Sequence, residues 1–283
     1  MPVRAGLNIG ANGGKMKKAL PKNLSPKSLG EIRMTDKERE QRKALKRAVR
    51  PRIASTIVLT HGPKDNPKIL MGHRSAKHDF MPSVYVFPGG RVDRADSYVD
   101  YAGELSPRTA RILEAAFTPR KARAVALASV RETYEETSLF LGAKEPTTRN
   151  INNPSYDAFR QAGLKPDLSG IEVFGRAVTP PHRHKRFDAW FFVKHLGNGA
   201  LPVIRESAEL ENVGWFTFKQ IEKLELQRAT EMMLMVLGNY LAAKTPPKDI
   251  FYSYARRGKY ISATFPDMKI DARHDLSFTR IVR

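Results

Sequence analysis

Apolar positions along the chain fall into short β-branched or aromatic runs and longer runs of helical period, separated by Gly, Pro and Asn clusters. Arg52 to Thr60 (RIASTIVLT) predicts a strand, and Lys68 to His73 its partner across a loop holding Gly62, Pro63 and Asn66. Val84 to Phe87 predicts a third strand that runs into a Pro88-Gly89-Gly90 turn. Ser106-Pro107 and Thr118-Pro119 each set a capping residue before a proline suited to the first helical position, so helices are expected over 107–117 and 119–141. In the second of these, Ala122, Val125, Ala126, Ser129, Val130, Thr133 and Thr137 form a small or apolar stripe able to lie on a sheet. Strands are expected again at 171–178, 187–194 and 212–217, with one or two closing helices over 218–243. The mixture predicts an α+β sandwich.

The flanks read differently. Residues 1–30 show neither period and predict an extended arm. Thr35-Asp36-Lys37-Glu38 then has the cap and acidic first turn of a helix running to about Ala48, closed by Pro51. Of the net charge of +20, residues 1–52 supply +11 and residues 244–283 supply +5, leaving an almost balanced middle. The expected organisation is a basic N-terminal arm over 1–50, one domain over 51–243 and a basic C-terminal tail over 244–283. Cysteine is absent, which excludes a disulfide framework, a thiolate zinc site and a thiol nucleophile. No apolar run reaches the ~20 residues of a membrane helix, and no signal-peptide block opens the chain. A soluble, cytoplasmic protein with no membrane contact is expected.

The chemistry concentrates in Arg131-Glu132-Thr133-Tyr134-Glu135-Glu136. On a helix, positions 132, 135 and 136 stand as i, i+3 and i+4, so three carboxylates share one face. Alone, such a hexapeptide reads as a solvated face with an Arg131–Glu135 ion pair. The other reading is a divalent-cation site, since hard cations take carboxylate oxygens alongside substrate phosphates.

Gly90 followed by Arg131 through Leu139 resembles the Nudix box of the Nudix hydrolases, written G-x5-E-x7-R-E-U-x-E-E-x-G-U with U aliphatic. Two departures stand out: Arg131 lies forty-one residues after Gly90 where the pattern has fourteen, an insertion of 27 residues, and Ser138 replaces the late glycine. Placing Asp96 at the acidic position puts the insertion within 97–123, as a loop and helix ahead of the catalytic helix. A long insertion is similar to that of the peroxisomal coenzyme A diphosphatases of this family, as are the segments 81–93 and 186–192 and Glu209 six residues before Trp215. The resemblance covers about 52–240. It implies a Nudix-type α/β/α sandwich with a mixed β-sheet, and metal-dependent hydrolysis of a nucleoside diphosphate linked to another group.

The same resemblance implies Mg²⁺ or Mn²⁺ as cofactor, with Glu135 and Glu136 as the strongest ligands, Glu132 a further ligand or the base, and the Gly89 carbonyl completing the site. Arg131 is expected to pair with a catalytic carboxylate, and Glu209 to be an additional ligand or the general base. Arg74 and Arg186 are candidates for phosphate contacts. Coenzyme A or an acyl-coenzyme A is the favoured substrate, with ADP-ribose and NADH as alternatives.

The remaining features have plainer readings. His182 and His184 lack helical metal spacing and, beside Pro180-Pro181, predict an exposed loop. Phe187, Trp190, Phe191 and Phe192 read as a half-buried strand, and Met232, Met233 and Met235 as packing. The basic arm opens a reading of another class, a nucleic-acid-binding protein, or an accessory nucleic-acid contact on an enzyme.

Overall fold

The computed structural model describes residues 32–45, 49–75, 83–145 and 153–267. Residues 1–31 of the expected arm over 1–50, the end of the first helix at 46–48 and the last residues of the tail, 268–283, lie outside the described residues. Strand β2 (Arg52–His61) is the centre of a mixed sheet. It runs parallel to β9 (Phe187–His195) and antiparallel to β3 (Lys68–Arg74), which pairs in turn with β10 (Leu210–Thr217). Outward from β9 come β8 (Glu172–Val178), β11 (Ile250–Arg256), β12 (Lys259–Phe265) and the two-residue β1 (Ile32–Arg33). The short β4 (Tyr85–Val86) pairs with β3, and β5 (Gly89–Arg91) pairs with β2.

The pleat sends alternate residues of β2 to opposite faces. Ile57 and Leu59 enter a core with α2 (Pro107–Glu114) and α3 (Pro119–Thr137), while Val58 enters a second core beneath α6 (Arg228–Ala242). Helices thus cover both faces of the sheet. Ser106 and Thr118 cap α2 and α3 as their sequence predicts, each accepting a backbone N–H three residues on. The stripe from Ala122 to Thr137 is buried along its length. Its hydroxyls are satisfied within the helix: Ser129, Thr133 and Thr137 donate to the carbonyls of Ala126, Ser129 and Thr133. Small side chains that need no outside partner let α3 lie close on β2.

Several expectations need correction. Helix α3 stops at Thr137, four residues early, because Ser138 takes a left-handed conformation (φ 58°) and turns the chain out. Residues 250–265 are a β-hairpin in the sheet and not part of a tail, and Ile32–Arg33 joins its outer strand. The aromatic-rich run Ile250-Phe251-Tyr252-Ser253-Tyr254 carries a strand signal that the basic charge of the segment obscures. Short α4 (Asp157–Gln161) and a two-stranded ladder of β6 (Gly142–Ala143) and β7 (Lys165–Pro166) occupy the expected polar loop region. A four-residue α5 (Phe218–Ile221) precedes α6. His182 is buried rather than exposed, its Nε2 3.9 Å from Glu38 on α1 (Asp36–Ala44). Among the described residues no helix is long and apolar enough to cross a membrane.

One ion pair ties the hairpin to the rest. Arg176 on β8 grips Asp188 on β9 through two bonds of 2.8 and 2.7 Å, both side chains almost fully buried, with its guanidinium stacked on Trp190, Tyr252 and Phe265. Removing one partner strands a buried charge, which costs about 3–5 kcal/mol. Asp188→Ala should therefore destabilise the protein by about that amount in urea titration; a change below ~1 kcal/mol would show that the pair does not hold the hairpin.

Candidate active site

The site begins where β5 lies on β2. A Cβ on Gly89 (φ 155°) would stand 2.4 Å from the Ser55 carbonyl oxygen and 2.7 Å from the Thr56 Cα, so only glycine fits against that backbone. A Cβ on Gly90 would fall 2.5 Å from the Glu132 carboxylate. The paired glycines therefore do different things: the first seats the turn on the sheet, the second leaves room for the Glu132 side chain of α3. Gly89 donates its N–H to Glu136 Oε2 at 2.8 Å.

Arg131 is the hub. Its Nε donates to Asp96 Oδ1 at 2.9 Å and its Nη2 to Asp96 Oδ2 at 3.3 Å and to the Arg91 carbonyl at 2.9 Å. Its Nη1 reaches Glu132 Oε1 and Glu135 Oε2, each at 2.8 Å. Asp96 has no solvent exposure and also accepts from Asp93 N–H at 2.7 Å and the Tyr156 hydroxyl at 2.8 Å. Asn153 Nδ2 donates to the Ala95 carbonyl, bracing the same short 3-10 turn. Tyr156 and Asn153 lie outside the motif and had no signal in the sequence beyond a loop-like composition.

The charges do not balance. Burial, opposed by Arg131 and helped by Glu135, pushes the Glu132 carboxyl up to about 7. Burial and then the Glu132 charge push Glu136 well above the ordinary carboxylate range, against the Gly89 N–H and Arg74. Glu135 is raised too, by burial. Glu209, exposed in the loop before β10, lies near enough for its charge to raise all three. Arg74 at the end of β3 feels Glu136, Glu209 and Glu132, while burial lowers its own affinity for a proton. Burial also disfavours the Arg131 charge, but its carboxylate partners outweigh that and hold the guanidinium charged.

The structure thus brings Glu132, Glu135, Glu136, Glu209, Arg131, Arg74 and Gly89 into one cluster. It does not bring Arg186 there: that guanidinium donates to the carbonyls of Thr179 and Val49, on the way into β2. Among the described residues five acids, counting Asp96, face Arg131 and Arg74, with Lys121 near Asp96, and every donor atom is a hard oxygen. That set fits a hard divalent cation. As the side chains stand, among the described residues no three acid or imidazole groups converge as metal ligands; Arg131 holds one oxygen each of Glu132 and Glu135, and the Gly89 N–H holds one of Glu136.

The same architecture exists in known structures. A Nudix hydrolase from Alicyclobacillus acidocaldarius matches with a TM-score of 0.51 at 24% identity, over 68% of this chain and 90% of that one. This is the Nudix fold. The NUDIX domain of Shewanella oneidensis NrtR, solved with ADP ribose, matches with a TM-score of 0.40 at 14% identity, over 74% of this chain and 100% of that one. A C. elegans Ap4A hydrolase matches with a TM-score of 0.39 at 14% identity, over 68% and 98%. No protein-family model matches the chain. Within the Nudix fold, the Ser138 position is explained by its left-handed backbone, which a glycine adopts without strain and a serine at a cost of about 1 kcal/mol.

The raised carboxyls make a stability prediction. Glu132 keeps its proton in the folded state up to about 7 but loses it near 4.5 when unfolded. Folding therefore binds a proton at Glu132 between those values, and stability falls as pH rises through that window, with Glu135 and Glu136 acting in the same direction. In EDTA the melting temperature should drop from pH 5 to pH 7.5. Glu132→Gln should flatten that slope and melt higher at pH 7.5; an unchanged slope would contradict the assignment.

Proposed function

We propose that the protein is a metal-dependent hydrolase that cleaves the diphosphate of a nucleoside diphosphate linked to another group. The observation that carries this reading is the cluster itself: four glutamates beside a glycine turn on the Nudix fold, offset among the described residues by Arg131 and Arg74. Glu135 and Glu136, with Glu132 behind them, would hold Mg²⁺ or Mn²⁺, which when bound screens phosphate charge and acidifies water. Gly89 fixes one oxygen of Glu136 through its N–H, so a single oxygen of that carboxylate is held by the turn.

Cleavage of a pyrophosphate depends mostly on positioning and charge neutralisation. Water adds to one phosphorus, the bridging P–O bond breaks, the other phosphate leaves with the bond electrons, and a carboxylate takes the water proton. Glu132 and Glu209 are the two candidates for that acceptor once Glu135 and Glu136 are given to the metal. Arg131 sets the Glu132 and Glu135 rotamers, backed by Asp96 and Tyr156. Arg74, whose guanidinium feels the charges of Glu136, Glu209 and Glu132, is our candidate for contact with a substrate phosphate oxygen.

For the substrate we propose coenzyme A or an acyl-coenzyme A, split into a 3′-phosphorylated adenosine nucleotide and a phosphopantetheine fragment. The support is the resemblance of the segments at 81–93 and 186–192 and of the long stretch between Gly90 and Arg131, which carries α2. Purified protein with Mg²⁺ or Mn²⁺ is offered coenzyme A, acetyl-coenzyme A, ADP-ribose, NADH and dinucleoside polyphosphates, and products are resolved by chromatography. Coenzyme A species should turn over fastest; faster turnover of ADP-ribose or NADH would overturn the substrate assignment. Glu135→Gln and Glu136→Gln should each lower kcat by at least ~100-fold while the protein stays folded. If neither does, the metal-site assignment is wrong.

A further inference from the structure

One end of the sheet collects cationic side chains that the diphosphatase chemistry does not use. The β1, β12 and β11 registers set Arg33 opposite Lys259 and Lys259 opposite Arg256, so three cations stand in one row across adjacent strands. Neighbouring strands lie about 4.8 Å apart, and like charges directly opposite one another destabilise a sheet. Arg257 follows in the hairpin turn, exposed and left-handed at φ 46°.

Other elements converge on the same end. Met34 N–H bonds the Gly258 carbonyl, which fastens the start of α1 to the hairpin turn. Tyr260 donates to Glu38 on α1, and His182 of the β8–β9 loop lies 3.9 Å from the same carboxylate. Arg186 closes the ring by bonding the Val49 carbonyl, and its own carbonyl accepts from Arg52 N–H. The segments 32–45, 49–52, 179–186 and 256–260 together hold thirteen Lys and Arg against three acids, Asp36, Glu38 and Glu40, all on α1. Arg33, Arg50, Arg52, Arg183 and Arg257 are exposed.

From this convergence of α1, the β8–β9 loop and the β11–β12 hairpin we infer that the end of the sheet is a docking surface for the phosphate backbone of a nucleic acid. The chemistry selects that partner over a lipid surface in two ways. The cations are mostly arginines, whose planar forks match phosphate oxygens two at a time. A membrane-binding face would also carry apolar side chains to insert, and among the described residues Val49 is the one large apolar residue exposed at this end. The surface is built by the folded hairpin and therefore differs from a contact made by the arm of residues 1–31. It neighbours the candidate active site, because β2 leaves this end at Arg52 and meets Arg91 two residues on, at Ala54.

The test is binding of a fluorescein-labelled oligo-uridine of twenty nucleotides to the full chain, followed by anisotropy at several salt concentrations. Arg183→Ser, Arg256→Thr and Arg257→Asn combined should weaken binding at least ~10-fold at 0.1 M salt and make the log–log salt slope shallower by about 2, since each phosphate contact contributes ~0.7. The corresponding triple Arg→Lys variant should stay within ~3-fold of the parent, because the term is chiefly charge. An unchanged melting temperature and unchanged hydrolysis show that the triple variant is folded. Parent-level affinity in the neutral triple variant, with loss on deleting residues 1–31, would place the contact in the arm and overturn the inference. Binding to phosphatidylserine vesicles with none to the oligonucleotide would overturn it in favour of a membrane.

Discussion

The Arg131 guanidinium is the constraint on which the site depends. A buried arginine cannot shed its proton, so every N–H that points inward must find an oxygen. Four groups answer it: Asp96 from the 3-10 turn, the Arg91 carbonyl from β5, and Glu132 and Glu135 from its own helix. These contacts lock the glycine turn, the turn at 95–97 and α3 into one body. Loss of any of them would leave the buried guanidinium charge short of a partner.

That rigidity lets the protein keep a repulsive set of acids folded. Burial raises the proton affinity of Glu132, Glu135 and Glu136, and the nearby acidic charges, that of Glu209 among them, add to it. The free energy that opposes this comes from elsewhere, from the two cores on either side of β2 and from the close fit of α3 through alanine, serine and threonine. A strained, charged site supported by a well-packed scaffold is the usual relation between function and stability. The aromatic-stacked Arg176–Asp188 pair plays a parallel part farther along the same face of the sheet, where it carries the hairpin of β11 and β12.

Asp96 and Arg186 show how differently residues of the two kinds could be read. Asp96 is assigned only by counting from Gly90, yet it lies at zero exposure under Arg131 with four donors converging on it. Arg186 sits in a segment with family likeness, yet its side chain closes the chain's entry into β2 by bonding two carbonyls. Tyr156, which holds Asp96 from sixty residues away, and His182, buried against α1, gave no local signal at all. Contacts over such separations leave no periodicity in a sequence, because neither partner's neighbours need to change to make them.

The sequence by itself determined the local elements and the chemistry of the carboxylate face. Helical spacing of 132, 135 and 136, the capped starts of α2 and α3, and the β-branched run of β2 follow from short-range sterics and hydrogen bonding, which act between residues a few positions apart. Only the tertiary structure decided that Glu209 and Arg74 reach this face, that Arg186 does not, and that a basic C-terminal segment completes the sheet. Those outcomes rest on register and on which burial wins between distant segments. The glycine turn joins the two levels: Gly89 and Gly90 are visible in the sequence, but what each must avoid, the β2 backbone and the Glu132 carboxylate, exists only once α3 and β2 are packed.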